Sequence, residues 1–155
     1  MTTRPPANFL KSILVGTDFS VCAARAISFA ASLAASQGSR VHLVHVLSEP
    51  VPALDVAGAL PYVDTRTRQE WEEVSRQRLA RDVKALEKRG IPASSELLWG
   101  RPSDALVEAA TRVKASLLVV GTHGRSALEK FLIGSTAERV VRRATVPVLT
   151  VREKR

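Results

Sequence analysis

Cysteine is almost absent: Cys22 is the single one in 155 residues, so no internal disulfide can form and a sulfur-bridged scaffold is excluded. A lone thiol suits a reducing compartment, and the cytoplasm is the expected location. Aromatic residues are scarce, at 5% of the chain. Long apolar runs are missing too. Outside strand-length stretches such as residues 116–120, nothing approaches the roughly 20 apolar residues that a membrane span requires. The opening MTTRPPANFLK carries no apolar core of signal-peptide type. A soluble protein without a membrane partner is expected.

What is present fits one ordinary globular domain. The length is sufficient to bury a core without metal or disulfide staples. A hydrophobic share of 45%, with many Ala, Val and Leu, suits helices packed on a buried parallel sheet. Lys and Arg number 23 against 15 Asp and Glu, a net charge of +8. Such an excess is compatible with an anionic partner, but it is scattered along residues 66–89 and in the tail 152–155, the pattern of solvated faces.

The order of elements follows from periodicity. Ser12–Gly16 (SILVG) is a short apolar run ending on glycine, the signature of a buried strand entering a loop. Asp18 and Ser20 can both cap the helix that follows, whose alanines recur at helical spacing until Gly38. Arg40–Leu47 reads as a second strand, and residues 51–67 as a long loop holding Pro52, Gly58 and Pro61. An amphipathic helix is expected over residues 68–89, a strand over 94–99, and a helix opened by Pro102. Leu117–Gly121 forms a fourth, fully apolar strand, Ser135–Arg143 a helix, and residues 146–151 a last strand. Pro147 removes one ladder donor, which places that strand at an edge. Strands alternating with helices imply right-handed crossovers and an open, twisted parallel sheet covered on both faces. In such sheets ligands sit beyond the carboxyl ends of the strands, where the winding reverses.

The loop after the fourth strand reads Gly121-Thr-His-Gly124-Arg-Ser, and then runs through Phe131-Leu-Ile to Gly134-Ser135-Thr136. Glycines let backbone approach a ligand closely, and the Gly134-Ser135 pair starts a helix whose first amides and dipole favour an anion. A phosphate chain is the guest these features suit. Any one of these glycines alone is an ordinary turn device. Together they spell Gly-x-x-Gly, nine residues, Gly-Ser, the signature by which the chain resembles the universal stress protein family. KSILVGTDFS, VHLVHV, GTHGRS and GSTAERVVRRATVPVLTV carry the likeness over nearly the whole length. It implies a five-stranded parallel sheet in the order 3-2-1-4-5, Rossmann-like and of the adenine nucleotide alpha hydrolase type. It divides the chain into an extension (1–11), the family domain (12–152) and a basic tail (153–155).

The same resemblance implies a site for an adenine nucleotide, ATP with magnesium. Asp18, with Thr17 beside it, matches the family acid near ribose and adenine, while capping of the helix remains the other reading of Asp18. Val46 would meet adenine through its main chain, though periodicity alone makes it core. Gly121, Thr122, Gly124 and Arg125 would line sugar and phosphates, with His123 lending backbone and shape, and Gly134, Ser135 and Thr136 would grip the phosphates. A homodimer paired through the edge strand from Val146 to Val151 is also implied.

Other chemistries lack their residues. No Gly-Lys pair exists for a Walker A loop, and no Gly-x-Gly-x-x-Gly fingerprint is present. Ser126 lacks the second glycine of a nucleophile elbow, and Cys22, in an alanine-rich helix, reads as a packed residue. His42 and His45, three apart on a strand, point to opposite faces and cannot share a metal. Leu128, Phe131, Leu132 and Ile133 read as anchors of the loop. A regulatory ATP-binding module in stress responses ranks first, a slow ATPase or phosphoryl-transfer enzyme second, for want of an assignable water-activating group. Nucleic-acid binding through Arg139, Arg142, Arg143 and the tail ranks third, because no nucleic-acid motif accompanies those charges.

Overall fold

The computed structural model describes residues 9–48, 65–123 and 133–152. Nine elements alternate along them: β1 Ser12–Gly16, α1 Val21–Gln37, β2 Arg40–Leu47, α2 Thr65–Glu87, β3 Ala93–Trp99, α3 Pro102–Arg112, β4 Leu117–Gly121, α4 Ser135–Arg143 and β5 Val148–Val151. All five strands are parallel, in the order β3-β2-β1-β4-β5. The winding therefore reverses between β1 and β4, as the sequence leads one to expect.

The strands sort their side chains by parity. Ile13, Val15, Val41, Leu43, Leu117 and Val119 form one core layer under α1 and α2. Leu14, Val44, Leu118 and Val120 form the other, with Leu106 of α3 and Val140 of α4. Such a two-sided sheet needs apolar residues at every strand position, which is why β1 is buried throughout. Alanine makes the close approach of α1 possible: Ala23, Ala26, Ala30, Ala31 and Ala34 are all buried. Ser20 caps α1 by accepting the Ala23 N–H at 3.1 Å, and Gly38 ends it in the left-handed region at φ 66°.

Two element boundaries depart from expectation. Helix α2 starts at Thr65 rather than 68, because its first turn is tied by the i,i+4 pair of Arg66 and Glu70 at 3.3 Å; the rest of the expected loop, 51–64, lies outside the described residues. Strand β5 starts at Val148 rather than Val146. Pro147 has no N–H to give, and only its carbonyl joins the ladder, accepting the Leu118 N–H at 2.9 Å. As expected, β5 lies at an edge of the sheet.

His42 and His45 do face opposite ways. The Nδ1 of His42 meets the Ser94 hydroxyl at 2.8 Å and its Nε2 lies 3.4 Å from Glu96, which also accepts from Arg112 at 2.7 Å. Burial pushes the Glu96 carboxyl up, but the hydrogen bonds from Arg112 and His42 outweigh it and hold it below the ordinary range. His45 lies on the α1 side, with its ring 4.4 Å from that of Phe19. Among the described residues no helix is long and apolar enough to cross a membrane.

Candidate functional site

At the carboxyl ends of β1 and β4 the sheet opens into a cleft of about 530 Å³, within the range of small-molecule sites. The reversal of winding creates it, since the chain leaves β1 toward α1 on one face and leaves β4 toward α4 on the other. Thr17, Asp18, Val46, Gly121, Thr122, His123, Gly134, Ser135 and Thr136 all line it. Of the residues picked from the sequence, Gly124 and Arg125 lie outside the described residues, as do Leu128, Phe131 and Leu132 of the loop. Ile133 is described and is exposed.

One wall is the turn leaving β1. The Thr17 N–H bonds the Val44 carbonyl at 2.9 Å, extending the β1 ladder by one residue, and the Thr17 hydroxyl accepts the Phe19 N–H at 3.1 Å. The Thr17 carbonyl lies 2.7 Å from the His45 Nδ1. Asp18 is not the helix cap: its Oδ1 accepts the Ser20 N–H at 3.0 Å, and Ser20 caps in its place. That short bond fixes the carboxylate in the cleft wall, the Asx-type geometry that aspartate favours at turns. Val46, half-buried, packs on the α3 and α4 core and closes one end.

The opposite wall is the junction of β4 with α4. Gly134 donates its N–H to the Thr122 carbonyl at 2.7 Å. A Cβ on Gly134 would lie 3.1 Å from that same oxygen, so glycine here serves close backbone approach; its φ of −60° needs no left-handed freedom. Gly134 occupies the N-cap position of α4 and supplies no side-chain cap. Ser135 and Thr136 therefore stand inside the first turn rather than capping it, and with Ala137 they line the cleft, so that the start of α4 forms its anion-favouring end.

Gly121 has a different reason. Its missing Cβ would meet the Cys22 Sγ at 3.1 Å and the Ala23 nitrogen at 3.3 Å, so the glycine lets the start of α1 press against the end of β4. Cys22 is buried there and donates to the Val151 carbonyl at 3.1 Å, the packed role expected of it. Thr122 is buried, with its hydroxyl 2.8 Å from the His123 Nδ1, its N–H donating to the Val151 carbonyl at 2.9 Å and its carbonyl accepting from Gly134, so its part is to tie β4, β5 and the start of α4 together at the cleft. The His123 Nε2 is buried and finds no hydrogen-bond partner among the described residues, a cost that a ligand acceptor or donor in the cleft would remove.

Sequence reasoning missed the floor. Gly16, Val44, Pro102, Leu106 and Ala137 also line the cleft, giving an apolar base under the polar rims. Pro102 and Leu106 were legible only as the start of a helix; their place in the cleft comes from α3 packing on β2, β3 and α4, with the Leu106 side chain reaching the end of β1 at Gly16. Among the described residues no group of three or more His, Cys, Asp or Glu could hold a metal ion.

A family model described as "Universal stress protein family" matches residues 10–152. The chain belongs to that family. Universal stress protein MJ0531 of Methanocaldococcus jannaschii is 32% identical over 151 residues, covering 97% of this chain and 86% of that protein. Among solved structures, a universal stress protein in complex with cAMP superposes at a TM-score of 0.67 and 28% identity, covering 92% of this chain and 97% of that one. The universal stress protein of Archaeoglobus fulgidus in complex with dAMP superposes at 0.64 and 27% identity, over 91% and 97% of the two chains. Both relatives bind adenine nucleotides, and both cover this member of the family almost end to end.

Proposed function

We propose that this universal stress protein domain, residues 12–152, binds ATP in the cleft between β1 and β4 and acts as a dimeric regulatory module in the cytoplasm. One observation carries the reading: the N-terminus of α4 is drawn against the end of β4 by the Gly134 to Thr122 bond, at the point where the sheet reverses. A polyphosphate laid there meets the amides of Ser135 and Thr136 and the positive end of the helix. The adenine and ribose take the apolar base and the rim of Thr17, Asp18 and the Val46 backbone. His123 supplies its Nε2, and Gly124 and Arg125 complete the phosphate side by the family resemblance.

The residues suit such a group: close-approach glycine, a ring nitrogen unpartnered among the described residues, an apolar floor and a carboxylate at the rim. Magnesium would be held chiefly by the phosphates, with Asp18 the carboxylate in the described cleft wall. The complexes of relatives with cAMP and dAMP support the adenine half of the reading. For the dimer, β5 is an edge strand of the sheet among the described residues, and an exposed apolar edge is an aggregation liability that pairing removes. Phe29 of α1 is a large apolar residue left exposed, surface that a partner subunit would cover. Chemistry ranks below binding, because among the described residues Asp18 is the one carboxylate that lines the cleft, and it belongs to the β1 wall rather than to the start of α4.

Acid precipitation of the purified full chain, followed by chromatography of the supernatant, tests the reading. Adenine nucleotide released in near-stoichiometric amount is the expected result. Its absence, together with no rise in melting temperature on adding Mg-ATP, would refute it, since any ligand of the native state stabilises that state by mass action.

A further inference from the structure

On the sheet face away from the α4 junction, α1 and α2 diverge to leave a second cleft of about 350 Å³. Its lining is divided by chemistry. Phe19, Ile27 and Leu86 give it an apolar base, and Arg78, Arg81 and Arg89 surround that base with positive charge. Two other arginines of α2 are neutralised locally, Arg66 by Glu70 and Arg76 by Glu72. Among the described residues, Arg78, Arg81 and Arg89 have no such carboxylate within ion-pair distance.

The wall of this cleft is built at a conformational cost. Phe19 sits at φ 62°, a region that bulky residues avoid. It is pinned there by the bond from its N–H to the Thr17 hydroxyl, and its ring makes a tilted contact with His45, 4.4 Å between centroids, with the Arg78 guanidinium 5.2 Å from its centroid. The strain turns an aromatic face into the space between the helices rather than out to solvent. Asp82 is the one carboxylate in the lining; burial pushes it up, against the pull of Arg81 and Arg78, as expected of a partly desolvated pocket.

We propose that this cleft is a second ligand site, for a small amphipathic anion whose aliphatic body lies on Phe19, Ile27 and Leu86 and whose head is a carboxylate or phosphate monoester held by Arg78, Arg81 and Arg89. Guanidinium groups bind both heads by paired hydrogen bonds, and the cleft is of a size for a short chain rather than a folded partner. Three arginines against one aspartate leave an excess of two positive charges in the lining. The two clefts share Thr17 in their linings, but the three arginines line this one alone, and the proposal does not require nucleotide in the other.

Isothermal calorimetry on the full chain tests it with sodium decanoate and decyl phosphate, each below its micelle concentration, and an uncharged decyl glycoside as control. Saturable single-site binding of at least one anion is expected, and the tighter of the two identifies the head group. The Arg78→Gln/Arg81→Gln double variant should bind that anion about tenfold more weakly or worse, the loss of roughly one charge-assisted hydrogen bond. Asp82→Asn should bind it several-fold more tightly. Mg-ATP titration and circular dichroism of the double variant should match wild type, because neither arginine lines the nucleotide cleft. Failure of both anions to bind, equal affinity in the folded double variant, or a glycoside binding as tightly as the anions would overturn the proposal.

Discussion

Gly134→Ala separates the two ways a glycine can matter at the phosphate end of the cleft. At φ −60° and ψ 150° alanine has no dihedral penalty, so the substitution acts through space alone. The new Cβ lies 3.1 Å from the Thr122 carbonyl oxygen, where ordinary contact begins at 3.4 Å. The start of α4 must therefore retreat by a few tenths of an ångström from the end of β4, lengthening the 2.7 Å bond between Gly134 and Thr122. Overpacking of this kind costs about 1 kcal/mol, and the lower unfolded-state entropy of alanine returns about 0.4–1 kcal/mol. Stability should thus be within about 1 kcal/mol of wild type in urea unfolding. Nucleotide affinity should not be spared, because the amides of Ser135 and Thr136 move with the helix start. Misplacing one hydrogen bond to a charged phosphate costs about 1.5–3 kcal/mol, so calorimetry with Mg-ATP should show a Kd raised about tenfold or more, and further in Gly134→Val. A folded Gly134→Ala protein that binds Mg-ATP as tightly as wild type would show that this glycine is only a turn device.

Three other outcomes follow from the packing and the charges. Asp82 has its carboxyl raised above the ordinary 3.8 by burial, so the native state holds this proton more tightly and stability falls as pH rises from about that value through the raised one. Asp82→Asn should therefore be more stable than wild type at pH 7, with the gain vanishing below pH 4 in urea titrations; a gain that persists at low pH would contradict this. Leu79→Ala, at a fully buried contact of α2 with the sheet, should lose about 2–5 kcal/mol, whereas Val74→Ala on the exposed face should change stability by less than about 0.5 kcal/mol. Leu149→Lys, on the α1 face of β5, and Val148→Lys, on the α3 and α4 face, should each shift light scattering at micromolar concentration toward monomer, and two unaltered dimers would count against pairing through this edge.

Strand positions were legible because a doubly covered parallel sheet leaves short, wholly apolar runs: LLVVG and SILVG can hardly be anything else. Helix starts were less so. The helix beginning at Thr65 owes its first turn to a charge pair, which a hydrophobic period does not register, and Pro147 still lends a carbonyl to the ladder while breaking the strand's regularity. In the cleft, glycine spacing led to both walls but not to the separate reasons for them. Gly134 is required by the Thr122 carbonyl and Gly121 by Cys22 on a helix a hundred residues earlier in the chain. The floor formed by Pro102, Leu106 and Ala137 could not be read at all, since it arises where α3 and α4 meet beneath the strand ends. Nor does any local pattern announce the left-handed Phe19, whose conformation is imposed by Thr17, His45 and Arg78 together.

Titration of Mg-ATP into isotopically labelled full-length protein, followed through backbone amide resonances, tests ligand and location at once. The account predicts saturable shifts at Thr17, Asp18, Val46, Thr122, Ser135 and Thr136, with the amides of Arg78 and Arg81 on α2, and of Arg89 in the turn after it, unmoved. Amides of the β1 and β4 cleft that stay still at millimolar Mg-ATP, or shifts confined to α2, would contradict it.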